Sequence, residues 1–499
     1  MAVPFNNIPG NIRVPFFYAE FASGGTPYQS NARLLLIGQK LATGSAVVNE
    51  PILVSDGQEE ILFGKFSMLG QMFRAARKNA PVQEIWALPL ADLAGGVLAT
   101  GSLAVTAPAW TDPRIVSLYI AGERVRLLVQ PGTTAAAVAT ALAAEINAAN
   151  VSVTATAATT TVTLTARHKG TLGNQIAIDF GLITEDGPWA SQILTITPMA
   201  NGAGDPDFAT ALTLLGDDEY DWIASPYFDS TNLTNIGSLL SDVSGRWSWA
   251  KQTYGHYITQ SAQTVGEFAS SAANRNNQHM SVFPTKKFVS SPWTVVAALG
   301  AVVAQHLQSA PELSRPLQTL VLEGIIGPRS RGDQLSRSDR QSLYFYGVSG
   351  YHMRRDGTVA IDRIVTTYCT NAWGNPDWTY LDIETMAQSM FGIRFLRTEI
   401  TSKHGRQALA RANPGRLPHI CTPEDMEHTV DHAYSKLVNV YGVFEDLATF
   451  QRYRVVEVDA TDPNRMNIGI KPDHVNQLRI AAIAVTGTAD HVPSDARVR

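Results

Sequence analysis

Short apolar runs alternate with helical patterns along much of the chain. Residues 34–38 form a continuous apolar run (LLLIG), which is typical of a parallel strand buried on both faces. A helical pattern over 67–79 and a second strand pattern over 84–88 follow. After residue 220 the alternation resumes, and it predicts strands over 221–225, 254–259 and 279–283 and helices over 232–247, 265–274 and 291–307. This order predicts a parallel sheet covered by helices on both faces.

A segment of different composition separates the two halves of this pattern. In residues 133–166, 23 of 34 residues are Ala or Thr, and Glu145 is the single charged residue. The pattern predicts a helix flanked by two hairpins, with the helix over 134–149 and the strands over 116–120, 124–129, 151–155 and 161–166. We therefore expect a small inserted α/β domain over 96–202, within an α/β core domain made of 32–95 and 203–330.

The pattern changes to α+β in the last third of the chain. Asp356-Gly357 lies between two strand patterns, which is a strong hairpin signal. Two helices are predicted over 381–403 and 423–441, and strands over 452–459, 466–471 and 476–485. We assign 331–477 to a C-terminal α+β domain. The expected fold class is a multidomain α/β and α+β protein with extended terminal arms.

The two chain ends differ from the domains. Residues 1–31 carry four prolines and one extended stretch over 13–21, where Pro15 indicates an edge strand because it lacks a backbone donor. Both faces of that stretch carry apolar side chains: Val14, Phe16 and Tyr18 on one, Phe17 and Phe21 on the other. The terminal segment 478–499 begins with a strand that is also apolar on both faces, through Leu478, Ile480, Ala482 and Ile483. The first stretch could fold onto its own domain or be an arm that pairs elsewhere, and the last strand has the pattern of a strand covered on both sides.

Composition narrows the classes of function. The 499 residues suit about three domains. A net charge of −5 argues against a protein that grips nucleic acid, and no apolar stretch reaches the roughly 18 residues of a membrane span. Charged residues are only 17% of the chain, below the usual ~25%, which favours a surface covered by other proteins. Two cysteines exclude a disulfide framework, and the N-terminus has no secretory pattern, so we expect folding in a cytoplasm.

Motifs for catalysis or cofactor binding are missing from the sequence. It contains no phosphate-binding GxxxxGK[ST] motif and no GxGxxG after a strand. Residues 347–350 (GVSG) do not complete the G-x-S-x-G nucleophile motif. His428 and His432 have the spacing of two metal ligands on one helix face, but Thr429 stands where a zinc protease has its glutamate. We predict a solvated helix surface there, with no cofactor, no metal and no enzymatic activity.

One basic region stands out in this acidic chain. Six cations lie between residues 394 and 416 with Glu399 as the single acid: Arg394, Arg397, Lys403, Arg406, Arg411 and Arg416. A solvated face would explain them, and an acidic protein surface is the sharper hypothesis. Nucleic acid is the weakest alternative because the whole chain is acidic.

Five stretches together resemble the contractile tail sheath proteins of bacteriophages, in the branch typified by phage Mu. They are NNIPGNIRVPFFYAEF (6–21), RPLQTLVLEGIIGP (315–328), DGTVAIDRIVTTY (356–368), DWTYLDIETM (377–386) and DPNRMNIGIKPDHVNQLR (462–479). Their order and spacing cover nearly the whole chain. The resemblance is weakest over 96–202.

This resemblance implies a structural subunit of a virion tail. Such subunits are expected to polymerise as stacked rings around a tail tube, meet baseplate and tail terminator proteins, and contract to drive the tube through the host envelope for genome ejection. It also implies a subtilisin-like but non-catalytic fold for the core domain, pairing of the terminal arms between subunits, and an inserted domain facing away from the tail axis. Five cations become candidates for tube contact: Arg394, Arg397, Lys403, Arg406 and Arg411.

Two alternatives remain open on the sequence. The chain could be the sheath of a phage-derived bacteriocin or secretion machine, which the sequence does not separate from a virion sheath. It could also be an α/β hydrolase, which would need polar groups at the carboxyl ends of the sheet strands. Those ends have Pro226-Tyr227 and Pro284-Thr285, which do not favour it.

Overall fold

The computed structural model describes residues 32–271, 275–308, 310 and 312–485. The first elements are strand β1 (Leu34–Gln39), β2 (Ile52–Leu53), helix α1 (Glu59–Phe63), α2 (Met68–Asn79) and β3 (Ile85–Leu90). Helix α2 begins after Ser67, whose side chain accepts a hydrogen bond from the backbone N–H of Gly70. It ends with Arg77 and Lys78, cations that suit the negative end of the helix dipole.

Residues 98–200 form two further sheets. Their elements are β4 (Leu98–Val105), β5 (Arg114–Ile120), β6 (Glu123–Val129), α3 (Ala135–Ala148), β7 (Val153–Ala158), β8 (Thr161–Lys169), β9 (Ile178–Phe180), α4 (Trp189–Ile193) and β10 (Leu194–Ala200). The strand orders are β10-β4-β8-β7 and β6-β5-β9. Helix α3 buries Val138, Leu142 and Ile146 on one face. Both predicted hairpins and the predicted helix are confirmed, whereas β4 and β10 were not predicted.

The chain then returns to the first sheet. The elements are α5 (Ala209–Thr213), β11 (Trp222–Ala224), α6 (Ser230–Leu239), β12 (His256–Ser261), α7 (Val265–Ser271), β13 (Met280–Pro284) and α8 (Pro292–His306). The six-stranded sheet has the order β13-β12-β11-β1-β3-β2. Its first five strands are parallel, and only β2 at the edge is antiparallel. The predicted parallel sheet is therefore confirmed, and its two halves lie on either side of residues 98–200.

Helices cover both faces of this sheet. Helices α2 and α8 pack side by side on one face, and Gly300 of α8 permits close packing because a Cβ there would lie 2.8 Å from the Ala224 Cβ. On the other face, Gly237 of α6 lies against Met280, and Phe268 of α7 packs with Val282. Helix α6 ends at Leu239, eight residues before the predicted end at 247.

The last third combines helices with short strand pairs. Its elements are α9 (Arg337–Phe345), β14 (Gly350–Met353), β15 (Val359–Arg363), α10 (Ile383–His404), β16 (Ala408–Leu409), β17 (Ile420–Cys421), α11 (Pro423–Asn439), β18 (Phe444–Glu445), α12 (Leu447–Tyr453), β19 (Val455–Val458), β20 (Met466–Gly469) and β21 (Asp473–His474). The hairpin β14–β15 turns at Asp356-Gly357 as predicted, with Gly357 at a φ of 84°. The strand predicted over 452–459 was wrong at its start, because Arg452 and Tyr453 end α12.

Backbone hydrogen bonds join the last third to the six-stranded sheet. At the outer edge of β13, the N–H of Ser349 donates to Val282 O (2.9 Å) and the N–H of Thr367 donates to Met280 O (2.8 Å). The sheet edge is thereby covered by segments of the last third. Such pairing protects an edge that would otherwise bind other strands.

Several contacts tie residues 98–200 to the rest of the chain. Asp92 accepts hydrogen bonds from Gln39 Nε2 (2.8 Å) and the backbone N–H of Lys169 (3.1 Å), and it contacts His168 Nδ1 (3.0 Å). The His168 Nε2 in turn accepts from the Met68 N–H at the start of α2 (3.0 Å). Arg329 donates to the carbonyls of residues 180 and 181, and Val97 pairs with Ala203 where the two connections meet.

Candidate functional site

The C-terminal segment after β21 leaves the body of the protein with its apolar side chains exposed. Val475 is tied at both backbone groups, since its N–H donates to Val443 O (3.1 Å) and its carbonyl accepts from Gln388 Nε2 (2.9 Å). Further along, the Leu478 carbonyl accepts from Gln318 Nε2 (3.2 Å). Residues 476–485 form no regular strand with the other residues that the structure describes. Leu478 is 76% exposed, Ile480 80% and Ile483 83%, and Ala482 is exposed too. Burying such side chains would contribute about 1.5–3 kcal/mol each, so they favour an apolar partner.

The charged residue of this segment, Arg479, points inward. Arg479 Nη2 lies 3.0 Å from Asp382 Oδ1 and 2.7 Å from Glu384 Oε2, and its side chain is mostly buried. Glu384, in the first turn of α10, has no solvent exposure, and its other oxygen accepts the Leu317 N–H (3.0 Å). Burial raises the pKa of the Glu384 carboxyl, and the Arg479 charge opposes that rise.

Asp382 also binds a second arginine. Arg363 Nε lies 2.8 Å from Asp382 Oδ1, and Arg363 Nη2 lies 2.8 Å from Asp382 Oδ2. This is the bidentate geometry of a strong ion pair. This cluster is not predictable from local sequence, because Arg479 lies 97 residues from Asp382 and 95 residues from Glu384. The one available signal was a lone cation in a segment of otherwise apolar residues.

The N-terminal candidates Val14, Phe16, Phe17, Tyr18 and Phe21 lie outside the described residues. The described chain begins at the amino-terminal edge of the six-stranded sheet. There the Arg33 N–H donates to Asp221 Oδ2 (3.0 Å) and the Arg33 side chain pairs with Glu84 at 2.9 Å.

Arg394 is a correction to the predicted set of tube-facing cations. Its side chain is only 19% exposed, pairs with Asp221 and lies 3.0 Å from Glu219. Burial lowers the pKa of Arg394, but these two carboxylates more than offset this and hold it above the ordinary value. Arg394 thus joins α10 to the amino-terminal edge of the sheet and is not available to a partner. Arg397 stays half-exposed, 3.7 Å from Glu219.

The other three cations, Lys403, Arg406 and Arg411, lie at or just beyond the C-terminal end of α10. Lys403 is 3.9 Å from Glu399, a weak contact on the helix surface. Arg406 and Arg411 are exposed on the loop between α10 and β17, and neither forms an ion pair within the part of the chain that the structure describes. Helix α10 has 22 residues and is about 33 Å long. The basic loop and the Arg479 cluster therefore lie at its two ends.

The hydroxyl groups of the GVSG stretch and of the strand ends are buried. Ser349 is buried, and its hydroxyl exchanges hydrogen bonds with the backbone of Val365 (3.1 and 3.3 Å). At the carboxyl ends of the strands, Thr285 donates its hydroxyl to Gln260 Oε1 (2.5 Å), so these two buried polar groups satisfy each other. This arrangement offers no exposed nucleophile for a hydrolase.

The candidate metal pair lies on the open surface of α11. His428 is 4.0 Å from Glu424, and the two side chains are 76% and 84% exposed. Across residues 32–271, 275–308, 310 and 312–485, no group of three or more His, Cys, Asp or Glu is arranged to hold a metal ion. Within the same described ranges, no helix combines the length and the apolar character that crossing a bilayer requires.

Comparison with known proteins gives the family. Residues 201–367 match the model of the phage tail sheath protein central domain. The chain is 34% identical over 495 residues to the Mu-like prophage FluMu tail sheath protein of Haemophilus influenzae, covering 97% of this chain and 99% of that protein.

Solved sheath structures are also similar. The sheath tail protein of Desulfitobacterium hafniense has a TM-score of 0.49 at 10% identity, with 93% of this chain and 97% of that chain covered. The helical sheath of the anti-feeding prophage in the contracted state has a TM-score of 0.48 at 11% identity, with 96% and 99% covered. On the identity and coverage of its Haemophilus relative, this chain belongs to the family of phage tail sheath proteins.

Proposed function

We propose that this subunit polymerises into a helical sheath of stacked rings around a tail tube, and that the sheath contracts to drive the tube through the host cell envelope for genome ejection. The observation that carries the proposal is the apolar C-terminal segment, which is exposed over 480–485 and held to the body only at its start. The sheath would assemble in the host cytoplasm and end as part of the virion tail, in contact with the tail tube, baseplate and terminator proteins.

The arms supply a physical route to contraction. A strand added to a neighbour's sheet is held mainly by backbone hydrogen bonds, each worth about 1 kcal/mol net. These bonds depend little on the domain faces, so a paired arm keeps two subunits joined while their faces separate and re-form. Leu478, Ile480 and Ile483, together with the apolar positions of 13–21, would fill the pockets that such pairing provides.

Electron microscopy of the purified protein tests this function. We expect negatively stained samples to contain hollow tubes with a regular axial repeat. A sample that stays monomeric at high protein concentration and low salt, with a tail tube protein added, would contradict the proposal.

We further propose that the basic loop at the end of α10 faces an acidic tail tube. Charge reversal at Arg406 and Arg411 (R406E/R411E) should impair assembly on the tube more strongly at low salt than at high salt. Exposed ion pairs are worth only ~0–1 kcal/mol each, but they recur at every subunit and are screened by salt. Sedimentation of sheath with tube at several salt concentrations measures the effect.

A matched variant controls for total charge. Arg452 and Lys471 lie beside the Tyr453 ring and are not part of the loop between α10 and β17. Their reversal (R452E/K471E) changes the net charge by the same amount. This control should assemble like the parent. Equal loss in both variants would assign the effect to net charge and remove the loop from the tube interface.

Residues 97–203 are expected to be dispensable for polymerisation. Val97 and Ala203 are paired, so a two-residue linker can join Gly96 to Gly204. Excision leaves Gln39 and Asp92 without their partners at residues 168 and 169, but water then replaces those hydrogen bonds, so the cost in stability is moderate. We expect a folded protein with a lower melting temperature that still forms tubes. A folded deletion variant without any assembly would contradict a peripheral role.

A further inference from the structure

We propose that Arg479 is a clamp that fixes the point at which the C-terminal arm begins, and so limits how far apart two paired subunits can lie. This inference rests on the proposed pairing of the arm with a neighbour. It assigns a positioning role to one residue of the segment and names the carboxylates through which that residue acts.

The contacts around Arg479 support a fixed point. Its guanidinium lies between two carboxylates at the start of α10, at 3.0 Å from Asp382 and 2.7 Å from Glu384. Its neighbours Leu478 and Ile480 are 76% and 80% exposed, so Arg479 alone is drawn into the body. The Leu478 carbonyl is also tied, as the acceptor of Gln318 Nε2 at 3.2 Å.

The position of the clamp sets the reach of the arm. Between Val475 and Arg479 the segment is held by exposed hydrogen bonds, from Gln318 to the Leu478 carbonyl and from Asn476 to Glu445. If these bonds open once Arg479 is released, four residues join the free arm, and extended chain spans about 3.3 Å per residue, which makes roughly 13 Å of extra length. A register shift that keeps the same side chains on the same face moves a strand by two residues, or about 6.6 Å. The extra length therefore lets an unclamped arm pair in more than one register.

A buried ion pair is better suited to positioning the arm than to stabilising the fold. Desolvation of two charges cancels much of their attraction, and an apolar replacement is often as stable. Buried ionic groups are best supported as devices that select one register. Arg479 holds one side of the segment inward through a single nitrogen, Nη2, which donates to both Asp382 and Glu384.

The first experiment removes the clamp without leaving a buried charge. In the double variant Arg479→Met with Glu384→Gln, the amide oxygen can still accept the Leu317 N–H and the Met side chain fills the place of the Arg stem. We expect circular dichroism and the melting temperature to stay close to the parent, and the yield of ordered tubes to fall, with a disordered axial repeat in electron micrographs.

The second experiment leaves the clamp intact and changes only length. Four residues (Gly-Ser-Gly-Ser) are inserted either after Arg479 or after Val475, an even number that preserves the facing of alternate side chains. Insertion after Arg479 should disturb the tubes like the double variant. Insertion after Val475 should be tolerated, because the clamp closes the extra residues into a loop. Combining that insertion with the double variant should make it harmful.

Three outcomes separate the hypotheses. Equal effects of the two insertions, or tubes of normal order from the double variant, would overturn the clamp. Deletion of 480–499 tests the arm itself: normal tubes from that deletion would overturn the proposed pairing and the clamp with it. Loss of tubes in the deletion together with equal effects of the insertions would leave the pairing standing and reject only the clamp.

Discussion

Deleting residues 1–22 should yield a folded subunit that no longer builds sheath tubes. The deletion removes no element of the six-stranded sheet, whose first strand begins at Leu34, so the body should keep its stability. Each subunit would lose several backbone hydrogen bonds to its neighbour, at about 1 kcal/mol each, and the loss recurs at every position of the lattice. Circular dichroism checks the fold and electron microscopy checks the tubes.

A deletion at the other end serves as the control for this experiment. Residues 490–499 are polar and contain no predicted strand, so their removal should leave the tubes intact. Ordered tubes from the protein without residues 1–22 would reject the N-terminal arm as a link between subunits.

Arg394→Ala should lower the free energy of unfolding by about 3–5 kcal/mol, the usual cost of removing one partner from a buried ion pair. The variant leaves Asp221, which is almost fully buried, with only the Arg33 N–H as a hydrogen-bond donor. The loss falls on the contact between α10 and the sheet edge. Urea unfolding followed by tryptophan fluorescence measures it, since Trp222 lies next to Asp221 in β11.

Two variants give this prediction its contrast. Arg397→Ala, three residues along the same helix, should cost only ~0–1 kcal/mol because its contact with Glu219 is long and half-exposed. The pair Arg394→Met with Asp221→Asn should recover most of the loss, because no buried charge is left alone. A loss of similar size from Arg394→Ala and Arg397→Ala would contradict the buried-pair interpretation.

Local pattern was sufficient for elements that the core holds in their preferred state. Strand β1 and helices α2 and α8 lie within one or two residues of their predicted bounds, since apolar periodicity and capping residues are local signals. The local pattern is wrong at the end of α6, because it predicts a helix through residue 247 and so includes Arg246. Arg246 is instead buried, donates to the Tyr254 carbonyl and bonds to Asp218. Tertiary contacts of this kind override helix propensity.

The candidate site shows the same limit. A run of cations along the chain predicts one basic surface, because local sequence does not show which distant carboxylates each cation meets. Arg394 pairs with a carboxylate 173 residues away in the chain. Arg479 pairs with two carboxylates that are 97 and 95 residues away. Arg406 and Arg411 stay exposed because the loop that carries them packs against little else. Pairing over such distances depends on topology, which a single sequence expresses weakly.

The two ion pairs on α10 have a mechanical consequence. Arg479 meets the helix at Asp382 and Glu384, and Arg394 leaves it for the sheet, so the two attachments are about 12 residues or 18 Å apart along one rigid rod. Tension on the C-terminal arm would act on α10 at Asp382 and Glu384, and Arg394 would transmit it to the amino ends of the sheet strands. No flexible loop lies between these two points on the helix. The force of a moving neighbour would thus reach the strands with little elastic loss.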